Sequence, residues 1–287
     1  MKFKEQLRNA LKNELSEDEL ENLPRGFQSI SKVILIKIPQ ELYEKRKIIG
    51  MKCLAVNPKM DAVYLYGGKI SGKFRTPENV EFLAGKDDPI VIHREHDVLY
   101  KFDITKIMFS KGNLKERKHL ATLVQPGEVI IDMFAGIGYF SLPIGVHSEA
   151  KSIYSIELNP IAFAFLQENV ELNRLGSKIV PIFGDCKEEV VKLSEKGIEA
   201  DRIIMGVFPA PIEYIPSALS CVKDSGTIIH YEGVIERENY KSLFDEFEKV
   251  AVSKNFSCQL KSHRFVKSYG PKLYHVVFDI IVQKTRS

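Results

Sequence analysis

No run of apolar residues in this chain is long enough to cross a bilayer. The longest, such as VVFDIIV at 276–282, is interrupted by a charge and falls well short of the roughly 20 residues a spanning helix takes. The basic start at residues 1–8 is followed by no apolar stretch, so no secretory leader and no membrane contact are expected, and the reading is cytoplasmic. Cysteine is scarce: Cys53, Cys186, Cys221 and Cys258 lie far apart, without the paired spacing that builds a zinc or iron–sulfur site. Free thiols and no metal are expected. Charge of one sign is not in excess either, with 41 basic and 38 acidic residues and a net charge of +3, which by itself identifies no polyanionic partner. One local imbalance stands out. Residues 101–118 contain Lys101, Lys106, Lys111, Lys115, Arg117 and Lys118 against Asp103 and Glu116.

What is present is the composition of an ordinary globular protein, 44% hydrophobic and 28% charged, with room in 287 residues for one large domain and one small one. Leu7, Leu11, Leu15 and Leu20 give the first 25 or so residues a loose helical pattern. A strand at 33–39, a helix through 41–55 and short strands at 62–66, 80–83, 89–93 and 98–102, separated by glycine and proline, describe an α+β region assigned to residues 1–112. The pattern then lengthens. Strands at 128–133, 151–157, 179–183, 202–207 and 227–231 alternate with helical stretches, a further helix covers 236–254, and 257–266 with 273–282 forms a closing hairpin across Ser268 to Pro271. Such alternation predicts a Rossmann-like α/β domain over residues 113–287, its mainly parallel sheet covered on both faces and its ligand beyond the carboxyl ends of the strands.

The strongest local signal is VIIDMFAGIGYFSLPI at 129–144. A buried strand delivers Asp132 to the sheet edge, and Gly136 and Gly138 let the backbone turn tightly against a ligand. The third glycine of the dinucleotide fingerprint is absent, since position 141 is Ser141, which argues against a nicotinamide cofactor. Two later carboxylates favour a nucleoside. Glu157 ends the second strand, where its oxygens can accept both hydroxyl hydrogens of a ribose, with Asn159 at the same rim. Asp185, in GDC, lies past the third strand, where it can accept from an adenine amino group while the backbone at Cys186 reads the ring edge. Each acid alone equally suits a helix cap.

FRTP at 74–77, KFDITKIMFSKGNLKERKHLA at 101–121, DMFAGIGYFSLPI at 132–144 and IELNPIAFAFLQENVELN at 156–173 resemble the archaeal and eukaryotic wybutosine-synthesis family, within the class I S-adenosylmethionine-dependent methyltransferase fold. That family transfers a 3-amino-3-carboxypropyl group to the tricyclic base beside the anticodon of phenylalanine transfer RNA, and is closely similar to the transfer-RNA guanosine N1-methyltransferases. The resemblance implies S-adenosyl-L-methionine as cofactor, held by Asp132, Phe134, Gly136, Gly138, Glu157, Asn159, Asp185 and Cys186. It also implies tRNA-Phe carrying a wyosine precursor as partner, with no DNA. The methyltransferase relatives carry Asn-Leu-Pro at the end of the fourth strand, where this chain has Gly206, Val207, Phe208 and Pro209. That difference favours aminocarboxypropyl transfer. The aminocarboxypropyl-transferring relatives usually have a glycine here, and FPAP at 208–211 departs from their basic and histidine-containing continuation.

Transfer of the propyl group requires its carbon in line with the departing sulfur. Arg117, with Ser110 close in sequence, is the expected holder of the cofactor carboxylate, an ion pair with Glu116 being its plainer role. His230 is the candidate proton acceptor, a buried structural histidine its alternative. Asp132 orients the cofactor amine or stabilises the glycine turn. Lys73, Arg75, Lys101, Lys106 and Lys111 are candidate phosphate contacts, and Tyr139, Phe140 and Phe208 candidate stacking rings, Phe140 also suiting the core. A monomer is the default expectation. A noncatalytic RNA-binding protein and a small-molecule methyltransferase are the rival readings.

Overall fold

A computed structural model describes residues 2–68, 70–72 and 74–285, without the side chains of residues 70, 71 and 111. Lys73 and the Lys111 side chain, both named as phosphate contacts, lie outside the described residues. The chain forms two compact units, one of Met1–Arg94 with Tyr100–Phe109 and the other of Glu95–Leu99 with Ser110–Ser287. The path is therefore interleaved, where the sequence suggested a single cut after residue 112.

In the first unit, helices α1 (Phe3–Leu11) and α2 (Glu17–Glu21) precede strands β1 (Gln28–Ile30) and β2 (Val33–Ile36), helix α3 (Arg46–Ala55), and strand β3 (Ala62–Tyr66). Short strands β4 (Ile70–Ser71) and β5 (Thr76–Pro77) pair with each other, and β6 (Val80–Gly85) closes a sheet of order β1-β2-β3-β6. Leu7, Leu11, Leu20, Ile34, Ile49 and Val63 pack in its core. The helix read across 41–55 begins with a separate 3-10 turn, Gln40–Lys45. Gly50 inside α3 has a packing cause: a Cβ there would lie 2.5 Å from that of Leu83 on β6. Strands β7 (Ile90–Glu95) and β8 (Val98–Asp103) form a two-stranded ribbon.

The second unit runs α4 (Leu114–Leu123), β9 (Val129–Asp132), α5 (Ser141–His147), β10 (Ser152–Glu157), α6 (Pro160–Leu172), β11 (Ile179–Phe183), α7 (Cys186–Glu195), β12 (Arg202–Met205), α8 (Ile215–Leu219), β13 (Thr227–Glu236), α9 (Lys241–Ser253), β14 (Phe256–Gly270) and β15 (Leu273–Lys284). Its seven-stranded sheet has the order β11-β10-β9-β12-β13-β15-β14. The first five strands are parallel, β15 runs antiparallel to β13, and β14 pairs antiparallel with β15 and so runs with the first five. The order reverses at β9, so the crevice at the carboxyl ends of β9 and β12 is the switch point where such sheets take ligands. Ile131, Met205, Tyr231, Phe247, Val276 and Phe278 pack on one face. Two boundaries differ from the sequence reading. β13 continues to Glu236, so α9 starts five residues later than expected, and β14 extends through Gly270 so that only Pro271 and Lys272 turn the hairpin. Lys272 has a positive φ of 60° there. Among the described residues no helix is long and apolar enough to cross a membrane, and no His, Cys, Asp and Glu side chains are grouped to hold a metal ion.

Candidate active site

The glycine turn after β9 is built by side chains as well as by glycines. Gly136 and Gly138 have φ of 58° and 98°, which other residues rarely adopt. Beneath the turn Asp132 is fully buried, one oxygen accepting from the Ser141 hydroxyl at 2.6 Å and the other facing the Phe134 N–H at 3.4 Å, and Ser155 donates to Ser141 at 2.7 Å. Burial pushes the Asp132 carboxyl up to about 7. Of the two roles expected for Asp132, its full burial and these contacts support stabilisation of the turn.

Glu157 reaches across from β10. One oxygen accepts from the Gly136 N–H and the other from the Asn159 N–H, each at 2.7 Å. Burial raises its carboxyl above the usual range, and the backbone N–H groups of Asn159 and Gly136 oppose that rise. A carboxylate has about four acceptor sites, and these contacts leave capacity for ligand hydroxyls. Asn159 and Asp185 are both helix caps, accepting from the N–H groups of Ile161 and Lys187 at 3.0 Å. Cys186 begins α7, and burial raises its thiol, so it stays protonated. Phe134 meets Tyr214 edge to face at 5.1 Å, and Lys187 lies over the Tyr214 ring at 4.4 Å, beside Asp185. Glu157, Asn159, Phe134, Asp185 and Cys186 are thereby gathered along the ends of β9, β10 and β11. Ribose acceptors, an aromatic wall and backbone amides at helix starts are a donor set that fits an adenosine.

Two catalytic assignments need correction. Arg117 is 2% exposed and makes two 2.8 Å hydrogen bonds to the two oxygens of Glu95. It also donates to the Ser110 carbonyl at 3.1 Å, so it braces the loop. Glu116, its other suggested partner, bonds to Arg264 of β14. The cation at the Ser110 hydroxyl is Lys267, at 3.0 Å. His230 is 1% exposed, its Nδ1 paired with Asp279 and its Nε2 2.7 Å from Arg202, which also bonds to Glu128. Arg264 also pairs with Asp279 at 2.6 Å. Burial holds His230 below its ordinary range, and with both nitrogens engaged it cannot reach a substrate proton.

At the end of β12, a Cβ on Gly206 would lie 2.7 Å from the Phe140 ring and 3.6 Å from the Glu232 carboxyl carbon. The glycine is therefore required by close packing, and Phe140, 5% exposed, is a core residue here and not a stacking ring. Phe208 lies edge to face with His275, 4.5 Å between centroids, and 6.0 Å from Tyr269, which is 53% exposed. His275 donates to Glu232 across 3.0 Å, both side chains buried. The sequence reading missed Ser155, Glu232, Lys267 and His275. A signal existed for Glu232, since strand alternation puts it on the same face as His230.

Residues 91–260 match the TRM5/TYW2 methyltransferase domain, and residues 7–88 the TYW2 N-terminal domain. The chain is 36% identical to the tRNA(Phe) (4-demethylwyosine(37)-C(7)) aminocarboxypropyltransferase of Methanocaldococcus jannaschii, over 88% of this chain and 96% of that protein. It is 34% identical to the tRNA (guanine(37)-N(1))-methyltransferase Trm5b of Pyrococcus abyssi, over 91% of this chain and 76% of that one. The structure of P. horikoshii TYW2 in complex with MeSAdo superposes with a TM-score of 0.83 at 33% identity, covering 98% of this chain and all of the other. With the Rossmann-like sheet, the glycine turn and the carboxylate at the end of β10 in place, the chain belongs to the TRM5/TYW2 methyltransferase-domain family.

Proposed function

We propose that this protein transfers the 3-amino-3-carboxypropyl group of S-adenosyl-L-methionine to C7 of the tricyclic wyosine-precursor base beside the anticodon of tRNA-Phe, in the cytoplasm and as a monomer. The observation that carries the reading is similarity to an aminocarboxypropyltransferase along nearly the whole of both chains, amino-terminal domain included. Gly206 supports it from the site, because its backbone packs against Phe140 where the methyltransferase relatives carry an asparagine. S-adenosyl-L-methionine supplies a sulfonium whose propyl carbon is open to a carbon nucleophile.

The chain's own residues supply placement. Glu157 accepts the ribose hydroxyls, and the Asp132–Ser141–Ser155 set keeps the turn rigid, so that little ordering cost falls on binding. Ser110, with Lys267 at its hydroxyl and Arg117 at its carbonyl, is held as a polar, cationic corner suited to a carboxylate. Arg75, Lys101 and Lys106 contribute to phosphate binding, and the first unit positions the RNA.

The test identifies both products by mass spectrometry after incubation with the tricyclic form of tRNA-Phe. An aminocarboxypropylated nucleoside together with methylthioadenosine is expected. A methylated nucleoside with S-adenosylhomocysteine assigns the chain to the N1-methylating branch, and no binding of labelled S-adenosyl-L-methionine leaves only an RNA-binding protein.

A further inference from the structure

The Glu232–His275 pair has no role in holding the cofactor or the glycine turn, yet two ionisable side chains, 1% and 0% exposed, are buried at the carboxyl end of the sheet. Burying such a pair costs more than packing apolar residues of equal size. Its placement is specific. Glu232 lies against Gly206, at the end of the strand beside the switch point, and His275 lies under Phe208, which in turn meets the exposed ring of Tyr269. Nε2 of His275 is satisfied by Glu232, but Nδ1 is buried without a hydrogen-bond partner among the described residues. Buried polar atoms are nearly always paired. A carboxylate that takes the Nε2 hydrogen leaves Nδ1 as a lone-pair acceptor.

We propose that His275 Nδ1 accepts a hydrogen bond from an N–H of the heteroaromatic base that this enzyme modifies, Glu232 being the positioning residue that fixes its tautomer and Phe208 and Tyr269 the rings flanking the base. The inference rests on the function proposed above only in taking a nucleobase as the substrate. Access runs through Gly206, Val207 and Phe208, each half-buried, and the base turns the Phe208 ring aside as it enters.

The chain labelled with 15N-histidine gives seven imidazoles to follow. On adding tricyclic tRNA-Phe, the pyridine-type Nδ1 signal of His275 is expected to move upfield, and to stay in place with the same tRNA made abasic at the target nucleotide. His275→Asn keeps an acceptor near the Nδ1 position, whereas His275→Gln keeps only one near Nε2. The KM for tRNA should rise about tenfold in His275→Gln, as for one lost hydrogen bond, and less in His275→Asn. Affinity for S-adenosyl-L-methionine, measured by calorimetry, should stay within about twofold in both, since neither residue lies in the cofactor set. An Nδ1 signal indifferent to the base, or equal losses in the two variants, overturns the inference. Failure of the wild-type protein to release methylthioadenosine overturns the proposed function instead, a result on which the NMR shift does not depend.

Discussion

The two halves of the crevice are built in different ways. On the side of β9 and β10, the ligand-facing groups are backbone amides and one carboxylate, brought together within a short stretch of chain: the Glu157 oxygens bind N–H groups at Gly136 and Asn159. On the side of β12 and β13, the groups come from a glycine at the end of one strand, an acid on the next and a histidine on the antiparallel hairpin, so that Glu232 and His275 are separated by 43 residues. The first half is a local device that any nucleoside-binding sheet can reuse. The second is assembled only when the hairpin adds to the sheet.

The largest effect is expected outside both halves, from Arg117→Ala. It removes from buried Glu95 the arginine bonded to both its oxygens and releases the Ser110 carbonyl, and should cost about 3–5 kcal/mol of stability. Denaturant unfolding would measure this, with an Arg117→Met, Glu95→Leu double variant expected to recover much of the loss. An unchanged midpoint in Arg117→Ala would return the arginine to a ligand-binding role.

Glu157→Ala attacks the first half. Loss of a charge-assisted acceptor should weaken S-adenosyl-L-methionine by roughly 1.5–3 kcal/mol in calorimetry on the folded variant. Affinity for tRNA measured without cofactor should hold, and if both affinities fell together the separation of the two halves would fail. Asn159→Ala should have the smallest effect, about 1 kcal/mol in thermal unfolding, as expected of a lost cap on α6. Replacement by Asp should restore it.

How much of this was legible follows the same division. Strand alternation located all five parallel strands, and the turn and Glu157 were read as neighbours because each sits at a strand end. The role of Arg117, and the choice between the two roles offered for Asp132 and for His230, were not legible, for one reason: their partners are Glu95, Ser141 and Asp279, and only register and packing reveal which acid or hydroxyl arrives opposite which base. The overrun of β13 to Glu236 was hidden because its last residues carry no apolar alternation of their own and are held by ladder pairing to residues 273–277 of β15.

The ion pair between Glu95 and Arg117 also carries information about vectorial synthesis. Its two members are 22 residues apart and belong to one compact unit, although part of the chain between them, Tyr100–Phe109, belongs to the other. As the polypeptide leaves the ribosome, the smaller unit cannot close until Tyr100–Phe109 has emerged, and Glu95 cannot meet its partner until Arg117 follows. Domains generally mature in the order they are translated. Here Glu95 stays without its arginine until α4 appears, so the completion of the first unit precedes the formation of this pair on one stretch of nascent chain.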